Sequence, residues 1–284
     1  MRTQVSLISQ RRRGADAFHA EPAPLTWGMI DVMRFRHALV ILLLSAAFWP
    51  LGCTPPHPAA TASPPASAAP VDADPVVGAV FLGASDMHTC TASVLHSSIG
   101  NLILTAAHCL ATGYPTTFAT GFSGHAEPAW TVDAIYLDPR WVADQDPEAD
   151  YAIARVTRPD GGSVESATGQ GLTLGTAPAA GTAVTVTAYP LGVGGVPIGC
   201  RAVTETVTAG FPSLQCPGLA DGTSGAPWRT DSTVVGLIGG LDGGGCDENV
   251  SYSPPFDAPV ADLLHRAEAG GPADTAPEVF ENDC

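Results

Sequence analysis

Three side chains in this chain belong to types that together can split an acyl bond. A histidine lies in Thr105-Ala-Ala-His-Cys109, an aspartate in Asp150-Tyr-Ala152 and a serine in Gly222-Thr-Ser-Gly-Ala-Pro227. A serine hydroxyl is a poor nucleophile near neutral pH. It needs a base to take its proton and an acid to orient that base. His108, Asp150 and Ser224 supply those roles in the order base, acid, nucleophile. Activity resting on a neutral imidazole should rise with pH between about 5 and 8.

The surroundings of each residue sharpen this reading. An apolar run, Ile103-Leu-Thr105, leads to two alanines and then His108, and small residues leave room for an imidazole to reach a cleft. Asp150 stands immediately before the apolar run Tyr151–Val156, which would draw its carboxylate inward. The competing assignment is a solvated loop aspartate, because Asp138, Asp144, Asp146 and Glu148 lie close by. Ser224 has Gly222 and Gly225 near it on either side. That lets the backbone turn tightly, so the N–H groups of Gly222 and Ser224 would hold a developing oxyanion. Losing one such donor typically costs on the order of 100-fold in rate.

These residues need a scaffold, and the sequence predicts a β one. Short runs rich in Val, Ile, Leu and Thr alternate with Gly, Pro, Asp and Ser breaks. They are Val76–Leu82, Thr91–Leu95, Asn101–Thr105, Thr131–Leu137, Tyr151–Val156, Ala183–Tyr189, Ala202–Ala209 and Val234–Gly239. Strands of this spacing imply a barrel or sandwich. One helix is expected at Asp257–Ala269, capped by Asp257, with Pro259 in its first turn and Val260, Leu263, Leu264 and Ala267 on one face. The folded region is expected over 76–269, a size that one domain with a sizeable core can hold. An acidic tail, 270–284, follows.

On these motifs the chain resembles the chymotrypsin-like serine peptidases. The matching stretches are Cys90-Thr-Ala-Ser-Val-Leu95, Thr105-Ala-Ala-His-Cys109, Asp150-Tyr-Ala-Ile153 and Gly222-Thr-Ser-Gly-Ala-Pro227, within about residues 76–267. The variant Asp221-Gly-Thr-Ser-Gly225 looks like that of a secreted bacterial branch. The resemblance implies an all-β fold of two antiparallel barrels with the cleft between them. The first would carry His108 and Asp150, the second Ser224. It also implies a Cys90–Cys109 bridge, which would fix the turn that carries His108. Two departures stand out. Animal members have an aspartate just before the nucleophile, paired with a freshly cut N-terminus; here the position is Thr223, and no Ile-Val-Gly-Gly precedes Cys90. The pocket-floor position is Gly218 rather than aspartate, so a neutral pocket lined by Gly218, Gly239 and Gly240 is expected. No metal or cofactor is implied.

The rest of the chain suggests an exported protein. Residues 1–53 read as an extension plus export signal: Arg34, Arg36 and His37 precede the uncharged run Ala38–Trp49, then Pro50-Leu-Gly-Cys53. Translation beginning at Met33 or Met29 and a twin-arginine-type signal are two accounts of residues 1–32. Cys53 resembles a lipoprotein cysteine, with ordinary cleavage as the alternative. Residues 54–75, rich in Pro, Ala, Ser and Thr, are expected to form a solvated tether. After Cys53 six Arg and no Lys face 25 Asp and Glu, giving −19, which excludes nucleic acid as a natural partner. A monomer acting on protein or peptide substrates is expected, attached to a membrane if Cys53 carries lipid.

Seven cysteines in an exported chain should pair. Cys200–Cys216 is the preferred second bridge and Cys216–Cys246 the alternative, with Cys246 otherwise left to pair with Cys284 or to stay free. Two rival functions exist. An α/β-hydrolase would use Ser224, Asp247 and His265, but Ala226 breaks the required Gly-x-Ser-x-Gly elbow and helices are too few. An inactive, protease-shaped binding module keeps the fold and lacks the chemistry.

Overall fold

The computed structural model describes residues 67–111, 113–125, 129–205, 207, 209–245 and 249–278. The export segment with Cys53, residues 54–66, Cys246, Asp247 and Cys284 lie outside the described residues. A two-residue strand, β1 (Ala69–Pro70), is followed by β2 (Val77–Leu82), β3 (Met87–Val94), β4 (Leu102–Thr105), β5 (Thr116–Thr120), β6 (Trp130–Leu137) and β7 (Ala152–Thr157). Strands β2 to β7 pair in the order β3-β2-β5-β6-β7-β4. The ring then closes, because β4 pairs back onto β3 through Leu104 with Ser93 and Ile103 with Val94. Closure leaves no open edge within the ring. Val80, Ala92, Leu104, Phe118, Tyr136 and Ile153 fill this barrel and are buried.

The second half contains β8 (Thr173–Leu174), β9 (Ala183–Ala188), β10 (Gly192–Val193), β11 (Ile198–Val203), β12 (Ser213–Gln215), β13 (Pro227–Thr230), β14 (Thr233–Leu237) and β15 (Val250–Tyr252). Its main sheet runs β1-β11-β9-β13-β14-β8, and β12 pairs separately with β15. A single bridge between Thr204 and Leu214 ties the two sheets together. A smaller core, including Val186, Leu214, Ala226 and Trp228, lies inside. Strand β14 and the residue after it serve both cores: Val234 and Leu237 pack in the first, Val235 and Ile238 in the second.

The expected all-β architecture with a C-terminal helix is present. The helix (Ala258–Glu268) buries Val260, Leu263 and Ala267 against the first core, and Leu264 is partly buried there. Asp257 stands at its N-terminus but makes no side-chain capping bond. Two short helices, Pro139–Asp144 and Val164–Thr168, had no apolar stripe long enough to read. The strand expected at Ala202–Ala209 lies earlier, at Ile198–Val203, and Ala209 has φ 51°, which no strand residue adopts.

Both ends of the folded region reach further than composition indicated. Ala69 and Pro70 pair with Gly199 and Ile198, and Arg229 holds Asp74 at 2.7 Å. Those interactions use backbone and charge, so the segment joins the fold without an apolar pattern. Beyond the helix, Asp274 accepts from the Leu137 N–H at 2.8 Å and from Arg266 at 2.5 Å, and Ala276 is buried. One well-placed aspartate therefore docks a segment whose composition reads as solvated.

Candidate active site

The histidine is placed by strand β4 and a single 3₁₀ turn, Ala107–Cys109. Ala106 and Ala107 are fully buried, so the turn sits directly on the barrel wall. The Cys90–Cys109 bridge ties the end of the turn to β3. Asp150 follows another 3₁₀ turn, Pro147–Ala149, capped by Asp146, and precedes β7. Its carboxylate is fully buried and receives three donors. The His108 N–H lies 3.0 Å from Oδ1, the His108 Nδ1 lies 2.8 Å from Oδ2, and the Gly240 N–H lies 2.7 Å from Oδ2. A buried carboxylate is tolerated only when it is satisfied in this way. The imidazole is mostly buried, with 12% of its side chain exposed.

The loop before Asp150 is braced by residues that the sequence reading had grouped as solvated neighbours. Asp138 is 5% exposed. It accepts from the Tyr151 hydroxyl at 2.5 Å and from Arg140 at 3.0 Å. Burial pushes the Asp138 carboxyl up, but the Arg140 and Tyr151 hydrogen bonds outweigh it and hold the group below the usual aspartate range. Burial, then the hydrogen bond to the Asp138 carboxylate, pushes the Tyr151 phenol well above its ordinary value. Tyr151 therefore stays a neutral donor, pinning the residue next to Asp150.

Ser224 sits in a turn that only glycine permits. Gly222 has φ 85°, and a Cβ there would lie 2.1 Å from the Leu191 nitrogen. Gly225 has φ 80°, and its Cβ would meet the Thr91 carbonyl oxygen at 2.2 Å. The turn is also held from the other barrel. Thr91 N–H donates to the Ser224 carbonyl at 2.8 Å, and the Thr91 hydroxyl to the Gly222 carbonyl at 3.3 Å. The same hydroxyl accepts from the Tyr189 N–H at 2.9 Å. Within the turn, the Thr223 hydroxyl donates to the Ala220 carbonyl at 2.7 Å, so this buried position is satisfied locally.

His108 and Ser224 line one cavity of about 500 Å³, walled by the Cys90–Cys109 bridge, Leu82, Met87 and Tyr114. The sulfurs of Cys90 and Cys109 lie near His108 but are joined to each other, so they are not thiolate ligands for a metal. The second bridge, Cys200–Cys216, joins β11 to the end of β12. Gly218, Gly239 and Gly240, expected to line a substrate pocket, do not line this cavity. Gly239 and Gly240 sit behind Asp150, where a Cβ on Gly239 would come 3.0 Å from Oδ2, and Gly218 faces Ala68. Sequence reasoning missed Thr91 and the Gly240 amide; only the Thr in Cys90-Thr-Ala-Ser93 offered a signal for either.

A closed barrel carrying a His–Asp pair, set against a second β system carrying a glycine-flanked serine, defines a class. The family model described as Trypsin matches residues 66–265. The chain belongs to the trypsin family of serine peptidases. Solved structures share the fold. A thermostable serine protease, AL20, from an extremophilic microorganism matches at 20% identity and TM-score 0.60, over 69% of this chain and 98% of its own. The protease Anisep from Arthrobacter nicotinovorans matches at 20% identity and TM-score 0.60, over 72% and 99%. An inactivated protease paralogue of the scabies mite matches at 14% identity and TM-score 0.55, over 74% and 99%. No curated protein sequence matches this chain.

Proposed function

We propose that this chain is an exported serine endopeptidase that cleaves peptide bonds through an acyl-enzyme. The observation that carries this reading is the buried His108–Asp150 contact at 2.8 Å opening onto the same cavity as Ser224. Ser224 attacks the carbonyl carbon. His108 takes the Ser224 proton and returns it to the departing amine. Asp150 fixes the tautomer of His108 and stabilises the imidazolium. The amides of Gly222 and Ser224 hold the oxyanion. The acyl side of the substrate meets a pocket without a carboxylate floor, since Gly218 occupies that position. The Thr223 contact to Ala220 orders the turn without an incoming N-terminus, so no cleavage is needed for activity. The two disulfides support an oxidising, extracytoplasmic location, with Cys53 as the lipid anchor and a monomeric folded region.

A second reading, the inactive binding module, shares its fold with the inactivated scabies mite paralogue. Reaction with an organofluorophosphate separates the two. Covalent mass on Ser224 that disappears in His108→Ala supports the enzyme. A folded, unlabelled wild-type chain supports the module.

A further inference from the structure

The cavity holding His108 and Ser224 has one wall from a distant part of the chain, Glu278. That residue lies nine positions beyond Ala269 and is exposed. The segment leading to it is anchored. The Asp274 N–H donates to the Ile135 carbonyl at 2.8 Å, and its carboxylate accepts from Leu137 and Arg266. Ala276 is 4% exposed and belongs to the first core. Glu278 therefore follows directly from two fixed points. Among the described residues no ion pair engages it.

The cavity lies on the side of the scissile bond that departs. Apart from Ser224 and Glu278, its walls come from residues 82–114 of the first barrel, which carries His108. The oxyanion amides of Gly222 and Ser224 belong to the other half and hold the acyl carbonyl. His108 gives its proton to the leaving amine, so the leaving segment passes on the His108 side. A cavity of about 500 Å³ has room for one or two side chains. Leu82, Met87 and Tyr114 are there to cover an aliphatic stem, and Glu278 supplies the one carboxylate. This matches a long side chain with a cationic end.

Resting on the endopeptidase reading, we propose that Glu278 selects substrates with Arg or Lys at the first or second position after the scissile bond. The tail thus acts as a specificity element of the cleft.

Partition of the acyl-enzyme tests this without changing the acyl side. The full chain is acylated with a p-nitrophenyl ester of an N-blocked alanine. Argininamide, alaninamide and the α-amide of glutamic acid then compete with water. In the transfer step the amine nitrogen bonds to the acyl carbon and the carbon–oxygen bond to Ser224 breaks. His108 takes the amine proton and returns it to the serine oxygen. Wild type should transfer to argininamide about five-fold better than to alaninamide, the size of a good exposed ion pair. Transfer to the glutamate amide should be poorer than to either. Glu278→Gln should bring the arginine and alanine ratios together, and Glu278→Arg should reverse the order of arginine and glutamate.

Partition ratios that are the same in wild type and both variants overturn the proposal. So does a variant that speeds deacylation by water and by every amine equally, which would make the tail a mere cover. Failure to form any acyl-enzyme is a different result, because it removes the peptidase reading underneath.

Discussion

The two halves of the molecule position the proposed catalytic groups by different means. The first barrel is a closed ring, and it fixes His108 through a side chain: the Asp150 carboxylate collects three donors in a fully buried site. The second half has an open sheet with a smaller core, and it fixes Ser224 through backbone shape. Gly222 and Gly225 adopt positive φ in spaces where a methyl group would strike backbone. The open half relies on its partner, because Thr91 of β3 bonds to both Ser224 and Gly222. The His108–Asp150 pair thus lies on one barrel and takes a single donor, the Gly240 amide, from the other half, whereas the Ser224 turn is bonded twice by Thr91.

The largest expected effect breaks the chemistry and spares the scaffold. Ser224→Ala should abolish turnover and labelling with an unchanged melting temperature, since Ser224 lines the cavity and the change removes a single oxygen. Asp150→Asn should lower kcat by about 10³–10⁴, because an amide favours the wrong tautomer of His108. It should also lower the melting temperature, because the three donors lose a charged acceptor. A calorimetric and kinetic comparison of the two variants would separate these behaviours.

Gly225→Ala tests the shape-based half. Its Cβ would lie 2.2 Å from the Thr91 carbonyl and 2.3 Å from the Thr105 hydroxyl at a positive φ. A loss of more than about 2 kcal/mol in denaturant unfolding is expected, with kcat falling as the turn shifts. Replacing Cys200 and Cys216 together by Ala should cost about 3 kcal/mol, the value for closing a loop of this size. Local protection from hydrogen exchange should drop in β11 and β12 more than in β2 to β7. An equal loss in both halves would show that the barrels do not differ in self-sufficiency.

Thr91→Val probes the joint. It leaves the buried Tyr189 N–H without its acceptor and removes the bond to Gly222, at about 1–3 kcal/mol. Its effect on kcat should exceed its effect on His108 labelling by a small haloketone, since the acid–base pair keeps its own support. The smallest effect concerns pH. Asp138 titrates below its usual range when folded, so its contribution is complete above an ordinary aspartate pKa of about 3.9 and fades as pH falls through the lower folded value. The stability gap between wild type and Asp138→Asn, measured by thermal melts, should be constant near neutrality and shrink below about pH 4.

The legible parts of the sequence were those where side-chain type and local pattern agree. His108 and Ser224 stand in motifs whose small residues have a steric purpose, and the helix at 258–268 shows its apolar stripe plainly. Less was visible where backbone atoms do the binding. The Gly240 amide donates to Asp150, yet a glycine in Gly239-Gly240 reads as a pocket wall. Asp138 looked solvated, because its burial depends on Tyr151 and Arg140 meeting it in space. Ala69 and Pro70 join a sheet through main-chain bonds that leave no apolar signature.

That short pairing of Ala69–Pro70 with β11 has a colloidal consequence. Without it, the outer side of β11 would be an unpaired sheet edge in the less enclosed half, open to strands of other molecules. Proline at position 70 has no N–H, so β1 covers that edge while offering a poor one of its own. A chain trimmed to begin at Val76 should therefore fold its first barrel normally yet self-associate through the second. The segment ahead of the first barrel would in that sense also serve as the solubility guard of the second half.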